Sequence, residues 1–352
     1  MNFMIYFILF SNKGEEHLKS LKRHVFDKES YKSTSEFEFS FIYQNFLFRY
    51  GFEIDNEKVH NEWLTAIDKD ADKQKVQTWI NRKGKTKIGA KVDGSSDTKK
   101  TWIETTRDNN LLFSNAVNLN SKKLEIPFQW FKKYFRSFSD ISPTYTLNCI
   151  ENSKEKKMRI LKFMKSLDFS FDDIKIIEHE FDEKLISAPK VPDALKNFLI
   201  ERIKEDGGKV KEVELVYRKG NKNKVSIDLD DESLGTKRLL SFAGPILDVL
   251  ENGYTLIIDE LDSSLHPIAL KGVIELFRDK STNSNNAQLI FTTHDTSVMK
   301  LFAREQIWLV DKDETLNSEL FSVAEFEGRS DEIVERKYLN GRYGALPLVE
   351  SI

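Results

Sequence analysis

Aromatic residues occupy every second position from Phe37 to Tyr43 and again from Phe46 to Phe52, with Ile54 closing the second run. A period of two puts those side chains on one face of a strand, and Gln44-Asn45 between the runs suits a two-residue turn. Phe37–Asp55 therefore reads as an antiparallel hairpin. Apolar runs around Val76–Ile80 and Ile88–Val92 extend the same sheet. Between Ser121 and Leu167 the period lengthens to that of basic, amphipathic helices, as in FQWFKKYFRSF and KEKKMRILKFMKSL. Those charges read as a solvated helix face, the other option being a surface for a partner or nucleic acid. Pro189 and Pro192 mark a linker before a helix from about Asp193 to Lys204, and strand-like alternation resumes in VKEVELVYRKG and KVSIDL.

The last third changes in kind. It reads as helix Lys237–Leu250, strand Tyr254–Ile258, helix Pro267–Arg278, strand Gln288–Thr293, a short helix to Ala303 and strand Gln306–Val310. Helices alternating with continuously apolar strands predict a parallel sheet covered on both faces. No internal repeat of solenoid or propeller length is present.

Composition narrows the function classes. Of 352 residues, 39% are hydrophobic, and 26 Phe, 10 Tyr and 5 Trp supply a core that a disordered chain lacks. The balance of 54 Lys+Arg against 57 Asp+Glu, a net charge of −3, gives no support to a dedicated nucleic-acid coat, although a local basic patch stays open. One cysteine, Cys149, excludes an internal disulfide and a CxxC metal site and points to a reducing, cytoplasmic compartment. The most apolar stretch, MNFMIYFILF, is about half the ~20 residues of a spanning helix and lacks signal-peptide flanks, so no membrane association is expected.

Candidate chemistry concentrates after residue 230. Tyr254-Thr-Leu-Ile-Ile-Asp-Glu260 is an apolar strand ending in two carboxylates, which places Asp259 and Glu260 at the carboxyl edge of a parallel sheet. Hard oxygens there suit Mg²⁺, which takes one or two carboxylates plus phosphate oxygens. Asp259 would orient the metal and Glu260 would polarise an attacking water, the Walker B arrangement. The plain alternative is a strand end that caps the next helix. Gln288-Leu-Ile-Phe-Thr-Thr293 leads to His294 at the same edge one strand over, where it could reach a γ-phosphate. Ser233-Leu-Gly235-Thr236 opens a helix, offering a hydroxyl and free backbone N–H groups to an anion, or simply a Ser N-cap.

The order Ser-x-Gly-Thr helix, strand-Asp-Glu, Ser263-Ser-Leu-His266-Pro and strand-His resembles the catalytic half of ABC-type ATPases. It is most similar to AAA-family ATP-binding proteins of the abortive-infection and overcoming-lysogenisation-defect class. The resemblance implies an α/β, P-loop-type fold with a mainly parallel sheet, an N-terminal antiparallel β subdomain and a helical insertion. It implies an N-terminal part of the ATPase lobe over 1–120, the insertion over 121–207 and the ATPase core over 208–352. It also makes Ser233–Arg238 the signature motif that contacts ATP on an opposite subunit, Asp259 and Glu260 Walker B, Ser263–His266 the D-loop and His294 the switch histidine. ATP and Mg²⁺ would be the cofactors, a homodimer through the nucleotide the assembly, and gating of an anti-phage effector the task. The closing YLNGRYGALP resembles the end of this family.

The sequence departs from that pattern at one point: it contains no GxxxxGK[ST]. Gly84-Lys85-Thr86 is preceded five residues earlier by Trp79, where glycine is required, and falls among short strands. The apolar start resembles the far end of the P-loop helix, so the chain is expected to begin inside that helix and to expose a sheet edge. A misassigned start, gene decay and supply of the P-loop by another chain all account for this. Two other functions compete with the ATPase. One is a non-catalytic interaction protein that keeps the fold, and the other a nuclease, ranked last because no further acidic cluster stands out.

Overall fold

The computed structural model describes residues 2–13, 17–26, 31–138, 142–180, 209–219, 223–327 and 333–346. The chain divides into two compact units, Met1–Phe135 with Ser297–Ile352, and Arg136–Thr296. The linker prolines Pro189 and Pro192 and the helix expected over Asp193–Lys204 lie outside the described residues.

The first unit opens with helix α1 (Asn2–Phe10), followed by strands β1 (Ser35–Tyr43), β2 (Phe46–Ile54), β3 (Val59–Asp68), β4 (Gln77–Arg82) and β5 (Lys87–Ile88). The strands form one antiparallel sheet in that order. Tyr43 pairs with Phe46 across Gln44 and Asn45, whose positive φ values of 46° and 63° give the tight hairpin turn that matches strand twist. The inward aromatics stack into a continuous cluster: Phe41 lies 4.1 Å from Trp130 and Tyr50 lies 4.6 Å from Phe113, ring centre to ring centre. Helices α2 (Ser96–Glu104), α3 (Leu112–Asn118) and α4 (Lys122–Lys133) follow. Buried residues of α3, α4 and α1, among them Phe113, Phe131 and Phe7, join the sheet's apolar face in one core.

Strand β3 has no counterpart among the sequence expectations, and the reason is Glu62. Its carboxylate occupies an inward position between Val59 and Leu64, breaking the apolar alternation, yet it is 1% exposed. Glu62 accepts hydrogen bonds from the Leu112 and Phe113 amides at 2.7 and 2.9 Å and from the Tyr50 hydroxyl at 3.1 Å. Arg82 stands 3.8 Å away. The Glu62 carboxylate serves as the side-chain cap of α3, whose own N-cap, Leu111, offers no acceptor.

The second unit contains strand β6 (Phe135–Phe138, entering from the boundary), helices α5 (Thr144–Asn152) and α6 (Lys154–Ser166), and strands β7 (Asp173–Glu180), β8 (Lys209–Lys219) and β9 (Asn223–Asp228). Helix α7 (Leu234–Asn252), strand β10 (Thr255–Ile258), helix α8 (Pro267–Arg278) and strand β11 (Gln288–Phe291) complete it. β10 and β11 pair in parallel, Thr255 with Gln288 through Ile258 with Phe291. β6 lies on the other side of β10, in a stretch the sequence suggested was helical; helix α4 stops at the Tyr134 C-cap and the chain extends there. β7, β8 and β9 form a separate antiparallel sheet.

Helix α7 carries Pro245 in its interior, which removes the N–H that would serve the Ser241 carbonyl. The buried Thr146 hydroxyl of α5 donates to that carbonyl at 3.3 Å and accepts from the Gly244 amide at 3.0 Å, so the break is filled from the neighbouring helix. Three of the six basic residues of α6 are paired with carboxylates: Lys157 with Asp173, Arg159 with Glu251 and Lys165 with Asp172 at 2.7, 2.8 and 3.2 Å.

The parallel sheet is smaller than expected. The strand anticipated at Gln306–Val310 forms as β12 (Trp308–Lys312), but it pairs antiparallel with β13 (Ser318–Ser322) in a hairpin of the first unit. A turn at Asp313–Asn317, fastened by the Asp313 carboxylate, sends the chain straight back. Helix α9 (Val334–Leu339) follows, and Tyr343 is buried with Ile307, Leu309 and Val323. The architecture is mixed α/β with several sheets, part of one parallel. No described helix is long and apolar enough to cross a membrane.

Candidate functional site

The parallel pairing of β10 with β11 determines which residues meet. Ile258 pairs with Phe291, so Asp259-Glu260 and Thr292-Thr293-His294 leave the sheet side by side at its carboxyl edge. The Thr292 hydroxyl donates to Asp259 Oδ1 at 2.5 Å and accepts from the Glu260 amide at 2.8 Å. His294 Nε2 lies 3.9 Å from Glu260 Oε1, with both side chains open to solvent, 84% and 59% exposed. Asp259, Glu260 and His294 therefore share one rim.

The turn behind the rim is tightly tied. Glu260 has a φ of +50°, a left-handed conformation that a glutamate adopts only when its surroundings impose it. Its amide is taken by Thr292, and its carbonyl accepts from the Ser263 amide at 3.0 Å and from Arg238 Nη2 at 3.0 Å. The Leu261 amide donates to the Thr292 carbonyl at 3.0 Å, and Asp262 Oδ2 accepts the His294 amide at 3.2 Å. His266 caps helix α8, its Nδ1 accepting the Ile268 amide at 3.2 Å, and Pro267 fills the first helical position.

Ser233 is the N-cap of α7: its hydroxyl accepts the Thr236 amide at 3.1 Å and lies 2.9 Å from the Thr236 hydroxyl. Thr236 is buried while Leu234 is exposed. A Cβ on Gly235 would stand 2.8 Å from the Ser264 carbonyl oxygen, so glycine is what lets the start of α7 touch the loop after Glu260. The structure thus brings Gly235 against the loop bearing Ser263, with Ser233 and Thr236 bonded to each other around it, and that loop leads directly from Asp259 and Glu260. Thr292, Asp262 and Arg238 were not picked out individually from the sequence. A threonine at a strand end carries no signal by itself, but its place beside a carboxylate pair one parallel strand over would have.

Gly84-Lys85-Thr86 lies in the open turn between β4 and β5, where a Cβ on Gly84 would meet nothing within 4 Å. It is no strand-to-helix phosphate loop. No group of three or more His, Cys, Asp or Glu residues able to hold a metal occurs among the described residues. That does not conflict with Mg²⁺, which completes its shell with water and phosphate oxygens. Asp259 offers an exposed carboxylate at the rim, with only Oδ1 bonded among the described residues, so the donor set fits such an ion.

Asp259 and Glu260 after one strand and His294 beyond its parallel neighbour lie at the carboxyl edge, where open α/β sheets bind ligands. The family model "AAA domain, putative AbiEii toxin, Type IV TA system" matches residues 9–300, most of the chain, and the chain belongs to that family. No curated protein matched the chain in a sequence comparison.

Proposed function

We propose that this chain is an ATPase subunit that binds the triphosphate of ATP at the β10–β11 rim, pairs with a second copy across the nucleotide, and gates an effector of phage defence. The observation that carries the reading is the convergence of Asp259, Glu260 and His294, with the Thr292 hydroxyl joining the first two. Mg²⁺, when bound beside Asp259, would neutralise charge on the phosphate oxygens. Asp259 would hold the cation through Oδ2, the oxygen that Thr292 does not bond. Glu260 Oε1 accepts a proton from the attacking water, a contribution of roughly 10²–10⁴ in rate. His294 Nε2, beside Glu260, donates toward the terminal phosphate. Ser233 and the amides opening α7 face the second copy's nucleotide, positioning charge rather than forming bonds.

The Glu260→Gln variant tests this. It should bind Mg-ATP as the wild type does, turn it over at least about 10²-fold more slowly and accumulate as a nucleotide-bound dimer in size-exclusion chromatography. Equal turnover would remove Glu260 from the chemistry. A second reading, a non-catalytic interaction protein, draws on Ser233, whose hydroxyl is already engaged by Thr236. Calorimetric titration with Mg-ATP separates the two, because that reading requires no binding.

A further inference from the structure

Arg238 lies at the fifth residue of α7, within the stretch read as contacting a second subunit's nucleotide, yet it does not face outward. It is 7% exposed, and its guanidinium sits 4.8 Å over the Phe242 ring, one helical turn on. Nη2 donates to two successive backbone carbonyls, that of Asp259 at 3.2 Å and that of Glu260 at 3.0 Å. Nε has no hydrogen-bond partner among the described residues, so the side chain is committed to those carbonyls and to the ring. A planar fork held against an aromatic face is a geometry lysine cannot reproduce.

We infer that Arg238 is a positioning residue that clamps the Asp259–Glu260 peptide from behind. It ties the start of the signature helix to the carboxylate pair within one subunit. The inference deepens the ATPase reading and rests on it for the chemical consequence. The physical reason is the left-handed Glu260. Such a conformation is strained for a glutamate and persists only where neighbours over-determine it. Thr292 holds the Glu260 amide, while Arg238 and the Ser263 amide hold its carbonyl. Without Arg238, Asp259 loses its one carbonyl restraint from α7 and Glu260 loses one of two, so the carboxylates spread over more orientations. A displacement of the α7 start would also pull directly on the peptide that aims Glu260.

Two measurements on the full chain test this, comparing wild type with Arg238→Met, Arg238→Lys and Asp259→Asn. Amide hydrogen exchange should rise about tenfold or more at Glu260, Leu261 and Ser263 in Arg238→Met, with the amides of residues 242–250 unchanged. Arg238→Lys should recover part of the protection. Mn²⁺ binding, followed by electron paramagnetic resonance, should weaken by about 10–100-fold in Arg238→Met, the range seen when an outer-shell partner of a metal site is removed. Loss of a nearby positive charge alone would tighten Mn²⁺ instead, so tighter or unchanged binding with unchanged exchange overturns the clamp. Uniform loss of protection along α7 overturns it too, since that is a packing residue's signature. If Asp259→Asn leaves Mn²⁺ binding intact, or wild type binds none, the metal-site reading fails. The exchange result then still decides the role of Arg238.

Discussion

Replacing Glu62 by leucine in β3 tests the least expected feature of the first unit. The change strips the acceptor from the Leu112 and Phe113 amides and from the Tyr50 hydroxyl, and takes from the largely buried Arg82 its buried carboxylate, leaving it the exposed carboxylate of Asp108 at 4.0 Å. Each buried donor left unpaired costs about 1–3 kcal/mol, and breaking a buried ion pair costs about 3–5 kcal/mol, effects that overlap rather than add. A loss of about 3–5 kcal/mol is therefore expected, a large share of the roughly 5–15 kcal/mol that holds a domain together. Glu62→Gln keeps an acceptor oxygen and should lose only about 1–2 kcal/mol at neutral pH.

The pH dependence separates the charge from the shape. Burial raises the Glu62 carboxyl pKa above its ordinary value, against the pull of Arg82 and the two amides. The folded state therefore holds this proton more tightly than the unfolded chain. Wild type should gain stability relative to Glu62→Gln as pH falls from above the raised folded pKa to the ordinary carboxylate value. All five tryptophans, Trp63, Trp79, Trp102, Trp130 and Trp308, belong to the first unit, so urea unfolding followed by tryptophan fluorescence reports on this unit alone. A Glu62→Leu midpoint within about 1 kcal/mol of wild type, or a wild-type-to-Gln gap that ignores pH, would refute the capping role.

Three further outcomes follow from local geometry. Gly51→Ala would push a Cβ inside 3 Å of the Trp63 ring and the Phe37 carbonyl, and should cost about 1–3 kcal/mol in the same unfolding assay; a neutral result would mean the indole moves freely. Burial works against ionised Asp55, but His60 and the Lys58 and Glu57 amides outweigh it and hold its pKa at about 2. Its stabilising effect should be complete above about pH 4 and fade as pH falls toward 2, so the acid limb of the unfolding curve should flatten in Asp55→Asn. Thr292→Val deletes the bridge between Asp259 and the Glu260 amide, and should weaken Mn²⁺ binding about tenfold with little change in thermal midpoint; an unchanged affinity would make the bridge incidental.

The elements legible in the sequence were those whose local chemistry and burial agree. The β1–β2 hairpin follows from aromatics at alternate positions and a turn that accepts positive φ at Gln44 and Asn45, and α8 starts at Pro267 as its first-turn geometry requires. β3 was hidden because an inward carboxylate looks like a polar break until Leu112 and Phe113 are seen bonded to it. β6 was hidden because its aromatic run continues the helical pattern of α4. β12 was legible as a strand but not in its pairing, which the Asp313 turn decides. At the rim, Asp259, Glu260 and His294 could be placed from strand ends alone. The tie from Arg238 could not, because it joins side chain to backbone carbonyls across 21 residues, a relation with no local signature.

The most direct test of the rim is a crystal of the full chain grown with Mn²⁺ and a non-hydrolysable ATP analogue. The account predicts an anomalous peak beside the Asp259 carboxylate, with the terminal phosphate facing Glu260 and His294. Nucleotide and metal bound elsewhere, with these three side chains facing only solvent, would contradict it.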